Sequence, residues 1–164
     1  MKAITLTQPW ATLVAIGAKH FETRSWETDH TGLIAIHAGK GIPGNLGGER
    51  GHRARCAEEP FKAVLELAGL DPETLPRGEV VAVANLRGCF ETCGYGAGLC
   101  ESVGVRPAEF ERSFGDYTPG RFAWALDEVV HLGEETYICR GWQQIWNLEP
   151  DIAELVEGRL AVAP

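Results

Sequence analysis

Apolar and polar positions alternate over short distances along the 164-residue chain, a pattern typical of short strands joined by helices and turns. Residues 2–6 have the composition of a strand. The next segment, 8–17, has the apolar spacing of a helix, with Pro9 in its first turn and Gly17 at its end. The chain is therefore predicted to open with a strand, a helix and a turn.

The segment after this turn, "HFETRS" at 20–25, alternates in polarity. Successive side chains of a strand point to opposite faces of its sheet. The pattern therefore predicts an extended strand that carries His20, Glu22 and Arg24 together on one face.

The rest of the chain combines further strands with helices of unequal length. Strands are predicted over 32–40, over 77–90 and around Phe122, Trp124 and Leu126. Helices are predicted over 58–70, over 106–114 and from about 151, where Asp151 is a suitable N-cap. Because no regular βαβ rhythm appears, an α+β fold around a small, mostly antiparallel sheet or barrel is favoured. No repeat or linker divides the chain, so residues 1–164 are predicted to form one domain.

The composition is that of an ordinary globular protein, with 45% hydrophobic and 23% charged residues, which argues against disorder. No apolar run is long enough to cross a bilayer, and the N-terminal residues lack the unbroken apolar stretch of a signal peptide. We therefore expect a cytoplasmic protein without a membrane segment. Five cysteines, an odd number, agree with reduced thiols in that compartment.

Charge is distributed unevenly along the sequence. The net charge of −8 disfavours broad binding of duplex DNA, because the whole molecule repels polyanions. Residues 1–55 nevertheless carry seven Lys/Arg against four Asp/Glu. The densest basic part, 49–55, is either a solvated loop or helix face, or part of a local anion site.

The cysteines and the short motifs give no reason to expect a metal or a cofactor. Cys89, Cys93 and Cys100 follow His52 and Cys56 without the tight paired spacing of zinc ligands. We therefore predict unpaired thiols rather than a structural zinc site. The chain also lacks a Walker loop, a GxGxxG motif and an HExxH motif, so no cofactor is expected.

One motif points to a known family. Gly17, Lys19, Glu22 and Arg24 form the pattern G-x-K-x-x-E-x-R, and it is followed by "GLIAIHAGK", "RGEVVAVANL", "FGDYTPGRFAWAL" and "CRGWQQIWNL". Together these segments resemble the ASCH domain, a member of the PUA-like superfamily, to about residue 148. The resemblance implies a small mixed or antiparallel β-barrel with flanking helices, and a cleft that contains the lysine, the glutamate and the arginine.

The resemblance implies three alternatives for function. The first is binding of RNA or a modified nucleoside or nucleotide in the cleft. The second is metal-independent hydrolysis, by an amidohydrolase of the N4-acylcytidine type or a ribonuclease. In the amidohydrolase group Lys19 matches the family lysine, but Glu22 stands where that group has a catalytic threonine. The third is a non-catalytic accessory domain.

Each residue of the motif has a functional and a structural interpretation. Lys19 either binds an anion, acts as a neutral base once desolvated, or lies exposed at the end of the first helix. Glu22 and Arg24 either pair with each other or act on a ligand, Arg24 on a phosphate or a base edge and Glu22 on a water or an exocyclic amine. In an enzyme, Lys19 and Glu22 would be the catalytic residues, as base and oxyanion partner.

Several further residues are candidates for ligand binding. Gln8, Trp10 and Trp26 can supply amide contacts and stacking for a base, with burial in the core as the competing interpretation of each tryptophan. His37 is either a hydrogen-bonded residue of a strand or part of the cleft.

The family's segments place three more candidates, Tyr117, Arg121 and Gln143, near the mouth of the cleft. Trp124 and Trp146 are predicted to belong to the core.

Overall fold

A computed structural model describes residues 1–41, 54–93, 107–133, 135 and 137–162. The strands within these ranges are β1 Lys2–Leu6, β2 Phe21–Arg24, β3 Gly32–Ala38, β4 Glu79–Glu91, β5 Phe122–His131, β6 Tyr137–Ile138 and β7 Ile145–Asn147. The helices are α1 Trp10–Ala15, α2 Phe61–Leu67 and α3 Pro150–Ala161, with 3-10 turns at Pro72–Thr74 and Glu111–Phe114.

The strands form one mixed sheet in the order β2-β5-β4-β3-β1-β7, and β6 pairs with β4 beside this path. β1 and β3 are parallel, and the other pairs are antiparallel. The register shifts within β4, where it pairs with β5, and bulges of this kind bend a strand. The six-stranded path is strongly curled into a half-barrel, which confirms the predicted α+β, PUA-like fold.

The core is divided by the alternation of β1. Ile4 and Leu6 lie in a cluster with Val14 of α1 and Trp124 of β5. Ala3, on the opposite face, lies in a second cluster with residues of α3. The helix α1 therefore covers one face of the curled sheet and α3 the other.

Most of the element predictions are confirmed. β1 spans the predicted residues 2–6, and Trp124 and Trp146 are buried in the core as expected. The predicted cap at Asp151 is wrong, because α3 begins at Pro150 with Glu149 as N-cap and has no side-chain cap bond. The strands β6 and β7 were not predicted, since each has three residues or fewer.

The cysteine prediction needs one correction. Cys56, Cys89 and Cys139 are reduced as predicted, but Cys93 is disulfide-bonded. In the part of the chain that the structure describes, no three His, Cys, Asp or Glu side chains are grouped as metal ligands. Two members of the zinc alternative, His52 and Cys100, lie outside that part. No described helix is both long and apolar enough to cross a membrane.

Candidate functional site

Lys19 is turned into the protein by the way in which α1 ends. Gly17 has a φ of +73°, a left-handed conformation that glycine adopts without strain. The N–H groups of Ala18 and Lys19 then both donate to the carbonyl of Leu13. The lysine side chain is completely buried, and its Nζ donates to the carbonyl oxygen of Phe21. This burial excludes the alternative of an exposed lysine at the helix end.

The three charged residues of the motif form one network. Lys19 Nζ lies 3.5 Å from Glu22 Oε2, and Arg24 Nε lies 3.1 Å from Glu22 Oε1. The second contact is an ion pair by distance, but its angle is not that of a hydrogen bond, so the buried Nε–H has no hydrogen-bond acceptor among the described residues. Glu22 therefore bridges the two cations, as expected for residues on one strand face.

Arg24 also connects two strands that are far apart in the sheet. Its Nη2 donates to the carbonyl of Thr5 at 3.0 Å. Thr5 belongs to β1 and Arg24 to β2, and three other strands separate these two along the sheet. The contact is made only because the sheet curls, so the site is located where the two ends of the half-barrel approach each other.

Burial dominates the electrostatics of the lysine. Desolvation lowers the pKa of Lys19 from its ordinary value of 10.5, while the carboxylates of Glu22 and Glu111 act in the opposite direction. The result is a pKa below that of an exposed lysine. A buried cation in this position depends on its carboxylate neighbours.

Glu111 is a residue of the site that sequence reasoning missed. It is buried, and its Oε1 accepts from the backbone N–H groups of His20 and Phe21, the latter at 2.6 Å. The carboxylate thus fixes the backbone that joins Lys19 to β2. No local pattern reveals this contact, because about ninety residues separate the partners.

A cavity of about 840 Å³ lies beside the network. Glu22 and Arg24 line it, whereas Lys19 lies behind them and does not. Its aromatic walls come from five residues in different parts of the chain, Trp10, Trp26, Phe61, Phe114 and Trp142. Pockets for small ligands typically have about 300–1,000 Å³ with mainly apolar walls, so the cavity is of a suitable size.

Two of the three indoles in the cavity lining, those of Trp10 and Trp26, are held in fixed orientations. Trp10 Nε1 donates to the carbonyl of Phe114 at 2.7 Å, and its ring lies edge-on to Phe61 at 5.2 Å. Trp26 packs edge-on against the buried Trp124 at 4.6 Å. Rings fixed in this way offer a preformed stacking surface.

The charged side chains of the cavity lining balance one another. The lining contains two arginines, Arg24 and Arg55, and two acids, Glu22 and Asp116. Arg55 pairs with Glu58 at 2.8 Å and lies over the ring of Trp10. The described part of the wall is therefore nearly neutral. Most of the basic stretch 49–55 lies outside the described residues.

The structure brings five of the predicted residues to the cavity: Trp10, Glu22, Arg24, Trp26 and Gln143. Gln8 is not among them, because it is buried and satisfied within the protein. Its Nε2 donates to the carbonyl of Pro76 at 2.8 Å, and its Oε1 accepts from the N–H of Thr12 at 3.1 Å.

Three other candidates also lie away from the cavity lining. Tyr117 is buried in a small cluster with Phe21. Arg121 donates to the carbonyl of Asp116 at 3.1 Å and lies 3.3 Å from the carboxylate of the same residue. His37 is buried below the loop that carries Gln143, with its Nε2 3.3 Å from the carbonyl oxygen of Cys139.

The loop above His37 contains residues of the cavity that were not predicted. Trp142 and Gln144 line the cavity together with the predicted Gln143. Gln144 has a φ of +59°, which is unusual for a residue other than glycine. Within the described residues, the amides of Gln143 and Gln144 make no hydrogen bond, so they are available to a ligand.

Gly141 fixes the approach of this loop to the sheet, and its replacement by alanine is expected to be destabilising. An added Cβ would overlap the imidazole of His37 and lie 2.8 Å from Thr5 Oγ1. Overpacking of this kind costs about 1–3 kcal/mol of unfolding free energy. Gly158→Ala is the matched control, because nothing lies within 4 Å of its Cβ and the residue is inside α3.

The control is expected to stabilise the protein by about 0.5–1 kcal/mol, because alanine is the better helix former. Urea unfolding of the two variants measures both effects. If Gly141→Ala and Gly158→Ala change the free energy of unfolding equally, the loop at Gly141 does not pack closely against His37 and Thr5.

The sequence matches one family model over most of its length. The model of the ASCH domain matches residues 4–125, which is most of the chain and includes β1, the motif and the larger part of the sheet. The chain belongs to the ASCH domain family. A search of curated proteins finds no match to it. The ASCH match covers the motif residues and the cavity residues Trp10 and Trp26, while the loop with Trp142, Gln143 and Gln144 lies beyond it.

Proposed function

We propose that this ASCH domain binds an unpaired base, either in single-stranded RNA or in a modified nucleoside or nucleotide, in the cavity beside Glu22 and Arg24. One observation carries the proposal: the cavity combines fixed aromatic walls with a nearly neutral lining and free amide groups. ASCH and PUA-like domains commonly bind RNA, which supports the same conclusion.

The aromatic walls suit a flat ring. Proteins recognise unpaired bases by stacking them on aromatic side chains, and each such contact contributes about 1–3 kcal/mol to binding. Trp10 and Trp26 lie on the cavity wall with their orientations fixed by other contacts. A base can therefore stack without ordering these side chains first, which lowers the entropic cost of binding.

The polar groups suit the edge of a base. Amide side chains such as Gln143 and Gln144 offer one acceptor and two donors each, and glutamine is well matched to base edges. Glu22 is an acceptor for an exocyclic amine. The unsatisfied Nε–H of Arg24 is a charged donor that a carbonyl or phosphate oxygen of the ligand would satisfy.

The charge balance favours a small or single-stranded ligand over a duplex. Each phosphate of a duplex-binding surface is typically met by a lysine or an arginine, but the two cavity arginines are offset by two acids. The net charge of −8 acts in the same direction.

A second candidate function is hydrolysis of an N-acylated nucleoside or of RNA, and the buried contact between Lys19 and Glu22 favours it. In this reaction Glu22, on the cavity wall, takes a proton from the attacking water. The oxyanion that forms on the substrate carbonyl, or on the phosphoryl group of RNA, is stabilised by Arg24 and by the charge of Lys19 behind it. When it collapses, the C–N bond of the amide or the P–O bond of the RNA breaks, and Glu22 returns the proton to the leaving nitrogen or oxygen. The reaction needs the carboxylate of Glu22 to be free of one of its cations when the water binds.

Binding and turnover are measured with cytidine, N4-acetylcytidine and a short single-stranded RNA, with and without a chelator. Arg24→Gln is expected to weaken binding about 10- to 100-fold, because hydrogen bonds to charged groups contribute about 1.5–3 kcal/mol. Arg87→Gln is the matched control: Arg87 is an exposed arginine with two carboxylate partners, and it does not line the cavity. Urea unfolding of both variants separates a loss of binding from a loss of folding.

The outcomes separate the alternatives. Binding without turnover supports the binding protein, and chelator-resistant turnover that is lost in Glu22→Gln supports the hydrolase. If none of the three probes binds to the folded wild-type protein, the proposal is wrong and the accessory domain is the better interpretation.

A further inference from the structure

A second cavity of about 940 Å³ lies next to the first. The two cavities share two wall residues, Trp26 and Gln144. The indole and the amide therefore form a ridge with an open space on each side, and one extended ligand can occupy both spaces across it.

The ridge is a rigid feature. Trp26 is fixed by its edge-on contact with Trp124, whose interplanar angle is 87°. Gln144 is held in a left-handed conformation, with a φ of +59°. Backbone conformations of this kind cost energy and persist where the surrounding structure enforces them, and they are frequent at ligand sites.

The second cavity has different chemistry from the first. Glu27 and Asp29 line it, and among the described residues neither carboxylate forms an ion pair or a hydrogen bond. Ionised carboxylates only accept hydrogen bonds, so the group that binds here must donate them. Among the described residues of the lining, Lys2 is the one lysine or arginine, so a single phosphate, but not several in a row, can pair with a cation there.

The loop that carries the two acids is ordered by its own contacts. The N–H of His30 donates to Thr28 Oγ1 at 3.1 Å, and His30 Nε2 lies 3.3 Å from the carbonyl oxygen of Leu33. The carboxylates are thus presented beside the ridge by a backbone that these contacts hold. Within the described residues they have no partner that must be released before a ligand binds.

We propose that the ligand of this domain is a segment of at least two ribonucleotides, with one base in the first cavity and the ribose of its neighbour in the second. Ribose hydroxyls are the donors that carboxylates bind in nucleotide sites, and the 2′-hydroxyl distinguishes RNA from DNA. This inference rests on the proposed function, because it extends the same ligand across the ridge formed by Trp26 and Gln144.

Affinities for three probes test the inference: cytidine, the ribodinucleotide cytidylyl-adenosine, and the same dinucleotide with 2′-deoxyribose in both sugars. The ribodinucleotide is expected to bind at least about tenfold more tightly than either of the others, because hydrogen bonds to charged groups are the strong ones. The double variant Glu27→Gln, Asp29→Asn is expected to remove this advantage and to leave the affinity for cytidine unchanged. Both residues are exposed, so the variant keeps the fold.

Glu154→Gln, an exposed acid on α3 outside both cavity linings, is the matched control and is expected to retain the advantage. If cytidine binds as tightly as the ribodinucleotide, or the deoxy form as tightly as the ribo form, the inference is overturned while the proposed function stands. If the ribodinucleotide advantage persists in the double variant, the assignment of the ribose to the second cavity is wrong. If no probe binds, the proposed function itself fails.

Discussion

Replacement of Lys19 by alanine is expected to lower the free energy of unfolding by about 3–5 kcal/mol, because it removes one member of a buried ion pair. The lysine is completely buried, and its Nζ contacts both Glu22 Oε2 and the carbonyl of Phe21. Without it, that carbonyl loses its donor, Glu22 loses one of two cations, and the space of the side chain is empty. Urea unfolding measures the change.

The control is Lys62→Ala. Lys62 also pairs with a glutamate, Glu66 at 3.7 Å, but both side chains are more than half exposed. A surface pair of this kind contributes at most about 0.5 kcal/mol. If Lys19→Ala and Lys62→Ala lower the free energy of unfolding by similar amounts, burial does not increase the contribution of Lys19 to stability.

Lys19→Met separates the contribution of charge from that of volume, and the pH dependence of stability reports the charge. Burial lowers the pKa of Lys19 in the folded protein below the ordinary value of 10.5 that it has in the unfolded chain. Between these two pKa values the unfolded state binds more protons, so the stability of the wild-type protein rises with pH. In Lys19→Met, this rise of the free energy of unfolding with alkaline pH is expected to be absent.

Glu111→Ala is expected to have the second-largest effect, a loss of about 2–4 kcal/mol. The substitution leaves the N–H groups of His20 and Phe21 without their acceptor, and an unsatisfied buried donor costs about 1–3 kcal/mol. Because these N–H groups lie between Lys19 and β2, the variant is also expected to lose affinity for the cytidine and RNA probes. Unfolding and binding measurements check the two effects.

Glu111→Gln retains an amide oxygen that can accept from the same N–H groups, so it is expected to recover most of the stability. The matched surface control is Glu66→Gln, an exposed glutamate of α2, for which a change within about 0.5 kcal/mol is expected. If Glu111→Ala changes the free energy of unfolding as little as Glu66→Gln does, the carboxylate of Glu111 does not fix the backbone of the motif.

Removing one residue of the charged network is therefore expected to lower the free energy of unfolding strongly. A buried ion pair of this kind nevertheless often stabilises a protein less than well-packed hydrophobic residues of similar volume. Lys19, Glu22 and Arg24 are held together where hydrophobic side chains would also pack. Three charged side chains held in a confined space next to a cavity are a feature typical of binding and catalytic sites.

Local sequence signals were sufficient where a short stretch determines its own structure. Gly17 ends α1 because it adopts a positive φ, and the alternation of 20–25 places Glu22 and Arg24 on one face of β2. The alternation around residue 124 likewise predicted the burial of Trp124 in the core. Gln8 was expected to contact a ligand, but its partners are the backbone of Thr12 and of the distant Pro76, which no local pattern indicates.

The sequence by itself determined the family, the α+β class, the position of the motif and the strand face on which Glu22 and Arg24 meet, because these depend on backbone preferences and on the period of a strand. Only the tertiary structure decided that Lys19 lies behind the cavity wall, that Glu111 holds the motif, and that Trp26 and Gln144 form the ridge between two cavities. The physical reason is the curl of the sheet. It brings together residues that are far apart in the chain, and no local pattern encodes those contacts.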